Sequence, residues 1–294
     1  LRCTRHKNRY QYLKISLSYL MNIDLDTGRL IVFLTGFGFF LALESLLPAR
    51  HLEGAKYRRL LTHSFMAGVN TLLVRTLTFV PMLAWLVYVE QQGWGLARWL
   101  GLSGWLEFII SIIVLDAFDY FWHRANHRIT FLWRFHKAHH ADTSIDVSTA
   151  LRFHPGELLL STFAKATWVV IWGPSAIAWF LFEILVSWFA QAHHANWDLP
   201  DGLERVVRRI WVTPRFHATH HLVDRRFGDA NFSTLLSIWD PCFGTEANAL
   251  TQAQIKECDL GLPDARDQTA SFRHWLAEPF SNQNLGLSKS RQAD

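Results

Sequence analysis

The sequence predicts an all-α integral membrane protein of about four transmembrane segments, one of them a helical hairpin, with a cytosolic histidine-rich cap. Three observations lead there. Half of the 294 residues are hydrophobic and only 18% are charged, against about a quarter charged in an ordinary soluble domain, and the deficit falls in blocks. Basic residues such as Arg50, Lys56, Arg58 and Arg59 sit beside those blocks, as they do on the cytoplasmic side of membrane proteins. Eleven of the fifteen histidines lie between residues 123 and 221, in groups with helical spacing.

Residues 1–29 form an N-terminal segment whose first twenty positions are basic and polar, with no cleavable-signal pattern. The expected start of the native chain is Met21, which leaves residues 1–20 outside it. Residues 30–104 read as N-terminal transmembrane helices and an interfacial link. Leu30–Leu47 is an apolar run closed by Pro48, with Glu44 as its one charge, and is just long enough to span. A basic loop, 49–63, precedes a second run, Val69–Val89. The link QQGWGLARWLGLSG, 91–104, places Trp94 and Trp99 where headgroup-level aromatics belong.

Trp105–Trp122 is the third expected span and leads into the first histidines. Leu158–Phe189 is apolar but broken at Gly173–Pro174, which reads as a hairpin that enters and returns on one side. Residues 246–294 are expected as a cytosolic tail, disordered from Ser281 onward. With the histidines inside, the basic loop is also inside and the N-terminus outside. MNIDLDTGR suits that side better than the basic residues before it.

Several function classes are disfavoured. A net charge of +4 without a basic, aromatic-interleaved stripe argues against nucleic acid. Cys3, Cys242 and Cys258 are far apart with no CxxC pair, which leaves a disulfide framework, a zinc ribbon and a cysteine-held cluster unsupported. No flavin or nicotinamide fingerprint occurs.

The histidines are the strongest signal. His123 and His127 stand at i and i+4. His136, His139 and His140 stand at i, i+3, i+4, and His217, His220 and His221 repeat that pattern. Each set therefore shares one helix face. Eight imidazoles suffice for two metal ions with open positions, and imidazole accepts zinc, copper, iron or nickel. HExxH is absent, as is the Glu-x-x-His pair of carboxylate di-iron bundles. Surface histidines on amphipathic turns are the bland alternative, and a bis-histidine haem would leave most of these side chains unexplained.

HRANH, HKAHH and HATHH, in this order among membrane helices, resemble the fatty acid hydroxylase/sterol desaturase superfamily. The surrounding LDAFDYFWHR, STALRFHPGE, HHANW and NFSTLLSIWDPCFGT extend the likeness over residues 105–245, the expected catalytic domain. The resemblance implies a membrane-bound non-haem di-iron oxygenase that uses O2 to hydroxylate or desaturate a lipid C–H bond. It implies two irons per chain held by the catalytic histidines His123, His127, His136, His139, His140, His217, His220 and His221, with His194 a ninth ligand and His193 the alternative to it. Asp116 and Asp119, on the helix face of His123, are candidates to accept the outward N–H of ligating imidazoles. His154, in the HPGE turn, is read as structural or as such a supporting residue rather than a ligand.

The expected partners are a lipid substrate, bilayer lipids and a separate electron donor: a reductase, ferredoxin or cytochrome. Arg124, Arg128, Lys137, Arg208, Arg209 and Arg215 suit either anionic headgroups or the positive-inside pattern. The alternatives are an ether-lipid-cleaving monooxygenase or a zinc hydrolase of the same fold, or a membrane metal-binding or transport protein. Transport fits less well, because the histidines cluster outside the spans rather than through them.

Overall fold

The computed structural model describes residues 23–52, 56–263 and 271–281; the proposed start at Met21 and, after Ser281 itself, the expected disordered end of the tail lie outside them. Among the described residues the chain is helical. Its only β pairing is two isolated bridges, Trp211 with Leu236 and Leu222 with Leu260. The long elements are α1 (Ile23–Leu46), α2 (Lys56–Asn70), α3 (Thr76–Gln92), α5 (Gly104–Arg128), α6 (Thr130–His140), α7 (Pro155–Trp172) and α8 (Ala176–His194). Short helices complete the set: α4 (Leu96–Trp99), α9 (Asp201–Val207), α10 (Pro214–His220), α11 (Arg225–Gly228), α12 (Trp239–Cys242), α13 (Gln252–Lys256) and α14 (Phe272–Ala277). A π-helical stretch, Thr71–Arg75, joins α2 to α3.

Side-chain contacts fix the direction of each long helix. Gly36 of α1 abuts Trp188 and Gln191 of α8, and Glu44 accepts from the backbone of Asn196, so α1 and α8 run parallel. Trp85 of α3 donates to the Ala166 carbonyl and Leu86 and Val89 pack with Val169, so α3 and α7 run parallel too. The bundle has one end at the link 91–104 and another at the histidines. α1, α5 and α8 run toward the histidine end, and α2–α3 and α7 run away from it.

Local chemistry sets the hairpin. His154 caps α7, its Nδ1 accepting from the Gly156 N–H at 2.9 Å, with Pro155 in the first turn where its missing N–H costs nothing. The helix ends at Gly173, φ 72°, and Ser175 caps α8. Gly95, φ 101°, lies against this turn: a β-carbon on Gly173 would sit 2.1 Å from the Trp94 carbonyl oxygen. Two glycines thus let the link and the hairpin tip touch through backbone. Both limbs have their other ends at the histidines, as the Gly-Pro break predicts.

By length and composition two helices can cross a membrane, Thr27–Leu46 and Ala176–His194. A third crossing results if the bent pair Lys56–Val74 and Leu77–Trp99 is one span. The expected span Trp105–Trp122 is not among them. α5 is 25 residues long, but Glu107, Asp116 and Asp119 dilute its hydropathy. All three are buried against partner helices, while Trp105, Leu106, Ile109 and Ile113 are exposed. Polar groups on the bundle-facing side are what a membrane helix tolerates, so the apolar character of α5 belongs to one face and not to the whole helix.

The basic residues also divide. Arg58 is exposed, but Arg59 is buried in a two-pronged pair with Asp142, Nη1 to Oδ1 2.6 Å, and also reaches Asp146. Lys137 is buried on Glu278, and Arg215 is bound by Asp198 and Asp201. Those two are interior struts and not surface cations.

Candidate metal centre

The last two turns of α5 carry His123 and His127. After the extended residue Ile129, α6 turns back and brings His136, His139 and His140 against them. α8 ends at His194, and α10, capped by Thr213, supplies His217 and His220, with His221 just beyond. Nine imidazoles meet in two groups. One holds His123, His127, His136, His140 and His220, the other His139, His194, His217 and His221. Within each group the ligand-capable atoms all lie within 4.8 Å of one another. The groups adjoin, since the rings of His140 and His221 stack with centroids 4.4 Å apart.

Ring orientation is set from outside. Nδ1 of His123 faces the Phe232 carbonyl at 2.8 Å, Nδ1 of His220 the Ala230 carbonyl at 2.6 Å, and Nδ1 of His194 the Ala190 carbonyl at 2.6 Å. Nδ1 of His136 donates to Glu157 Oε1 at 2.7 Å, and Nδ1 of His127 lies 3.5 Å from Asp229 Oδ1. The Nδ1 atoms of His123, His136, His194 and His220 serve as donors, which turns the other nitrogen, Nε2, inward as a lone pair, whereas Nδ1 of His127 makes no hydrogen bond. The loop that supplies two of the carbonyls is itself fixed: Asn231 adopts φ 56° and Asp240 accepts from the Phe232 and Ser233 N–H groups.

The inward nitrogens have little to bind but one another. Nε2 of His136 and of His220 are buried without a hydrogen-bond partner. Nε2–Nε2 contacts run His127–His140 3.1 Å, His139–His194 3.1 Å, His194–His217 2.9 Å and His217–His221 3.1 Å. A buried polar atom left unpaired costs about 1–3 kcal/mol, and lone pairs that face each other cannot satisfy one another. Cations of nitrogen-binding character satisfy all of them at once, so this donor set fits metal. His123, His127, His139, His140, His217, His220 and His221 are all pushed well below the ordinary imidazole value. Burial is the main cause and neighbouring imidazoles add to it. They are therefore neutral at pH 7, the state a metal ligand requires.

The supporting residues differ from those expected. Asp116 accepts from the Leu235 and Leu236 N–H groups and from Trp239 Nε1. Asp119 faces Lys165 at 3.8 Å. Neither touches a histidine: Asp116 is taken by the loop before α12 and Asp119 by α7. Both ring nitrogens of His154 are engaged, with Gly156 and with the Leu276 carbonyl, so it is a cap and not a ligand. His193 packs against His194 and His217 but is in neither group, and its Nδ1 is buried without a partner. Glu157 and Asp229 are the acidic residues that do meet ring nitrogens. Glu157 stands in the HPGE motif, one helical turn beyond the second histidine cluster's connecting loop. The carbonyls of Phe232 and Ala230 leave no side-chain signal at all.

The fold and the site define a class: a helical protein with helices long and apolar enough to cross a membrane and nine histidines gathered at one end in two groups that could hold metal. The profile of the family described as Fatty acid hydroxylase matches residues 108–245, and over that segment the chain is similar to the fatty acid hydroxylase/sterol desaturase superfamily. It is 24% identical to mouse (Mus musculus) cholesterol 25-hydroxylase over 163 residues, 55% of this chain and 54% of that protein. It is 26% identical to the ornithine lipid hydroxylase OlsE of Rhizobium tropici over 175 residues, 60% and 50% of the two chains. It is 32% identical to human (Homo sapiens) alkylglycerol monooxygenase over 130 residues, 44% and 28%. The chain thus spans about half or less of the length of these curated relatives. No solved structure matches it significantly.

Proposed function

We propose that this chain is an integral, multi-pass membrane oxidoreductase that uses O2 to hydroxylate a lipid at a di-iron site held by the nine histidines. The observation that carries the reading is the convergence of inward Nε2 atoms in two adjoining groups, five and four strong. Two reducible irons there would supply O2 activation and cleavage of an unactivated C–H bond. The relatives' names, hydroxylase and monooxygenase, favour hydroxylation over the desaturation the superfamily also allows, and all three act on lipids.

The chain's own residues have definable parts. Glu157, Asp229 and the Phe232, Ala230 and Ala190 carbonyls orient the imidazoles. Phe153, stacked on His139 at 4.6 Å, and Trp133, 5.0 Å from His127, wall the site against water. With eight of the nine imidazoles buried, the centre is preorganised for a divalent ion. Electrons come from a separate reductase, ferredoxin or cytochrome, and the histidine end faces the cytoplasm.

The test is metal content per chain on detergent-purified protein from iron-supplemented cells, beside a His136→Ala/His220→Ala variant. About two irons, lost in the variant, with reductant-dependent O2 uptake and an oxidised lipid product, is the expected result. No metal after iron reconstitution would end the di-iron reading. The likeness to alkylglycerol monooxygenase makes ether-linked glycerolipids a second substrate class for the product analysis.

A further inference from the structure

The segment between α8 and the third histidine motif carries an exposed apolar strip that the bundle does not cover. Leu203, Val206 and Ile210 are 50%, 62% and 53% exposed, and Trp211 is 39% exposed. The backbone stays helical past α9: the Arg208 N–H reaches the Glu204 carbonyl, that of Arg209 Val206, and those of Ile210 and Trp211 Val207. At about 100° per residue, positions 203, 206 and 210 fall on one face. Arg205 and Arg209, both exposed, follow on the next arc. On the opposite side Glu204 is buried and accepts from the Thr213 hydroxyl at 2.8 Å. Around this turn of helix the order is therefore protein, apolar strip, arginine edge.

We infer that residues 201–211 form an in-plane anchor lying at the acyl–headgroup boundary, with Arg205 and Arg209 taking anionic lipid headgroups. A soluble surface does not order its residues this way. An interfacial helix needs one apolar face for the acyl region and cations at its border for phosphate. Continuity with a crossing helix fixes the occupant: Trp211 stacks on Phe189 of α8, centroids 5.1 Å apart, so the strip continues the outer face of an apolar span. Nearby, Phe121 and Phe243 are also exposed and pack together at 4.9 Å. The anchor is coupled to the metal centre, because Thr213, held by Glu204, caps the helix that bears His217 and His220. The bilayer surface thus helps to set the position of the third histidine motif.

The experiment uses the full chain in lipid nanodiscs of phosphatidylcholine with a minority of phosphatidylglycerol. Single cysteines replace Val206, Ile210 or Arg205 in a background where Cys3, Cys242 and Cys258 are serine, and each carries an environment-sensitive fluorophore. Labels at 206 and 210 should be quenched at least about twofold more by shallow spin-labelled lipid than the label at 205, and iodide should show the reverse order. With the arginines intact, spin-labelled phosphatidylglycerol should quench position 206 more than spin-labelled phosphatidylcholine, and Arg205→Gln/Arg209→Gln should bring that ratio to unity. Equal iodide quenching at 205, 206 and 210 would overturn the anchor. Protection of 206 from both quenchers would overturn it as well and would mean that a protein surface, a second copy or a partner, covers the strip. A ratio already at unity in the arginine protein would overturn the anionic-headgroup assignment.

Discussion

At the scale of single residues, a ligating histidine is only as well placed as the group behind it. His136 donates to Glu157 at 2.7 Å, a bond between the second histidine motif and the first turn of α7. Removing it with Glu157→Ala frees the ring to turn and should weaken metal retention about 10–100-fold, measured as metal lost to a chelator over time. Asp116→Ala is the contrast. It abandons two backbone donors and an indole, so it should lower thermal stability while the folded fraction keeps its metal. Acid provides a second test. In metal-free protein the seven depressed histidines stay neutral when folded, whereas the unfolded chain takes up protons below about pH 6.5. The unfolded state then binds more protons, so stability is full above that pH and falls as pH drops. The melting temperature of the metal-free protein should decline steadily below about pH 6.5; a flat profile down to pH 5 would contradict the buried, neutral cluster. The convergence of the histidines was legible in the sequence because i, i+3, i+4 spacing maps directly onto one helix face. Their supports were not. Asp116 and Asp119 share the face of His123 by periodicity, yet a loop claims the first and a facing helix the second, and periodicity says nothing about which neighbour a side chain meets.

At the scale of elements, the hairpin shows a turn whose geometry leaves no room for a side chain. Gly173 combines φ 72° with a carbonyl 2.1 Å from where a β-carbon would stand. Gly173→Ala should cost at least the roughly 1–3 kcal/mol of a strained backbone residue. Gly202→Ala, at a position with nothing within 4 Å, should change stability by no more than about 0.5 kcal/mol. Thermal unfolding of the two variants in the same detergent checks this; equal midpoints would mean that the link and the hairpin tip separate freely. The Gly-Pro break announced the hairpin from sequence, since apolar length and a helix stop suffice for that. What it could not announce was the partner of the turn, because Trp94 and Gly95 are some eighty positions away. The same reason hid the fate of Arg59. It reads as one of several loop cations, and only the fold brings Asp142 and Asp146 to it.

At the scale of the whole molecule, the directions of the helices make a statement about sidedness that composition alone cannot. α5 rises about 37 Å over its 25 residues, slightly more than the roughly 30 Å hydrocarbon core. If α5 crosses the bilayer as proposed, Gly104 belongs to one interface and His123, near the far end, to the other. α1 and α8 end beside it, so on the proposed reading the candidate metal centre and the arginine-edged strip 201–211 share one membrane surface. That placement suits a substrate whose reacting carbon lies in the bilayer and whose electrons arrive from water. It also yields a prediction independent of any metal. In sealed vesicles bearing a cysteine-free background, Ser103→Cys at the link and Arg226→Cys at the histidine end, both exposed, should react with an impermeant maleimide from opposite sides, and Arg58→Cys should follow Arg226→Cys. On the proposed reading, exposed basic residues such as Arg58 beside the apolar blocks assign that shared side to the cytoplasm. Labelling of Ser103→Cys and Arg226→Cys from the same side would mean that α5 lies along the membrane rather than through it.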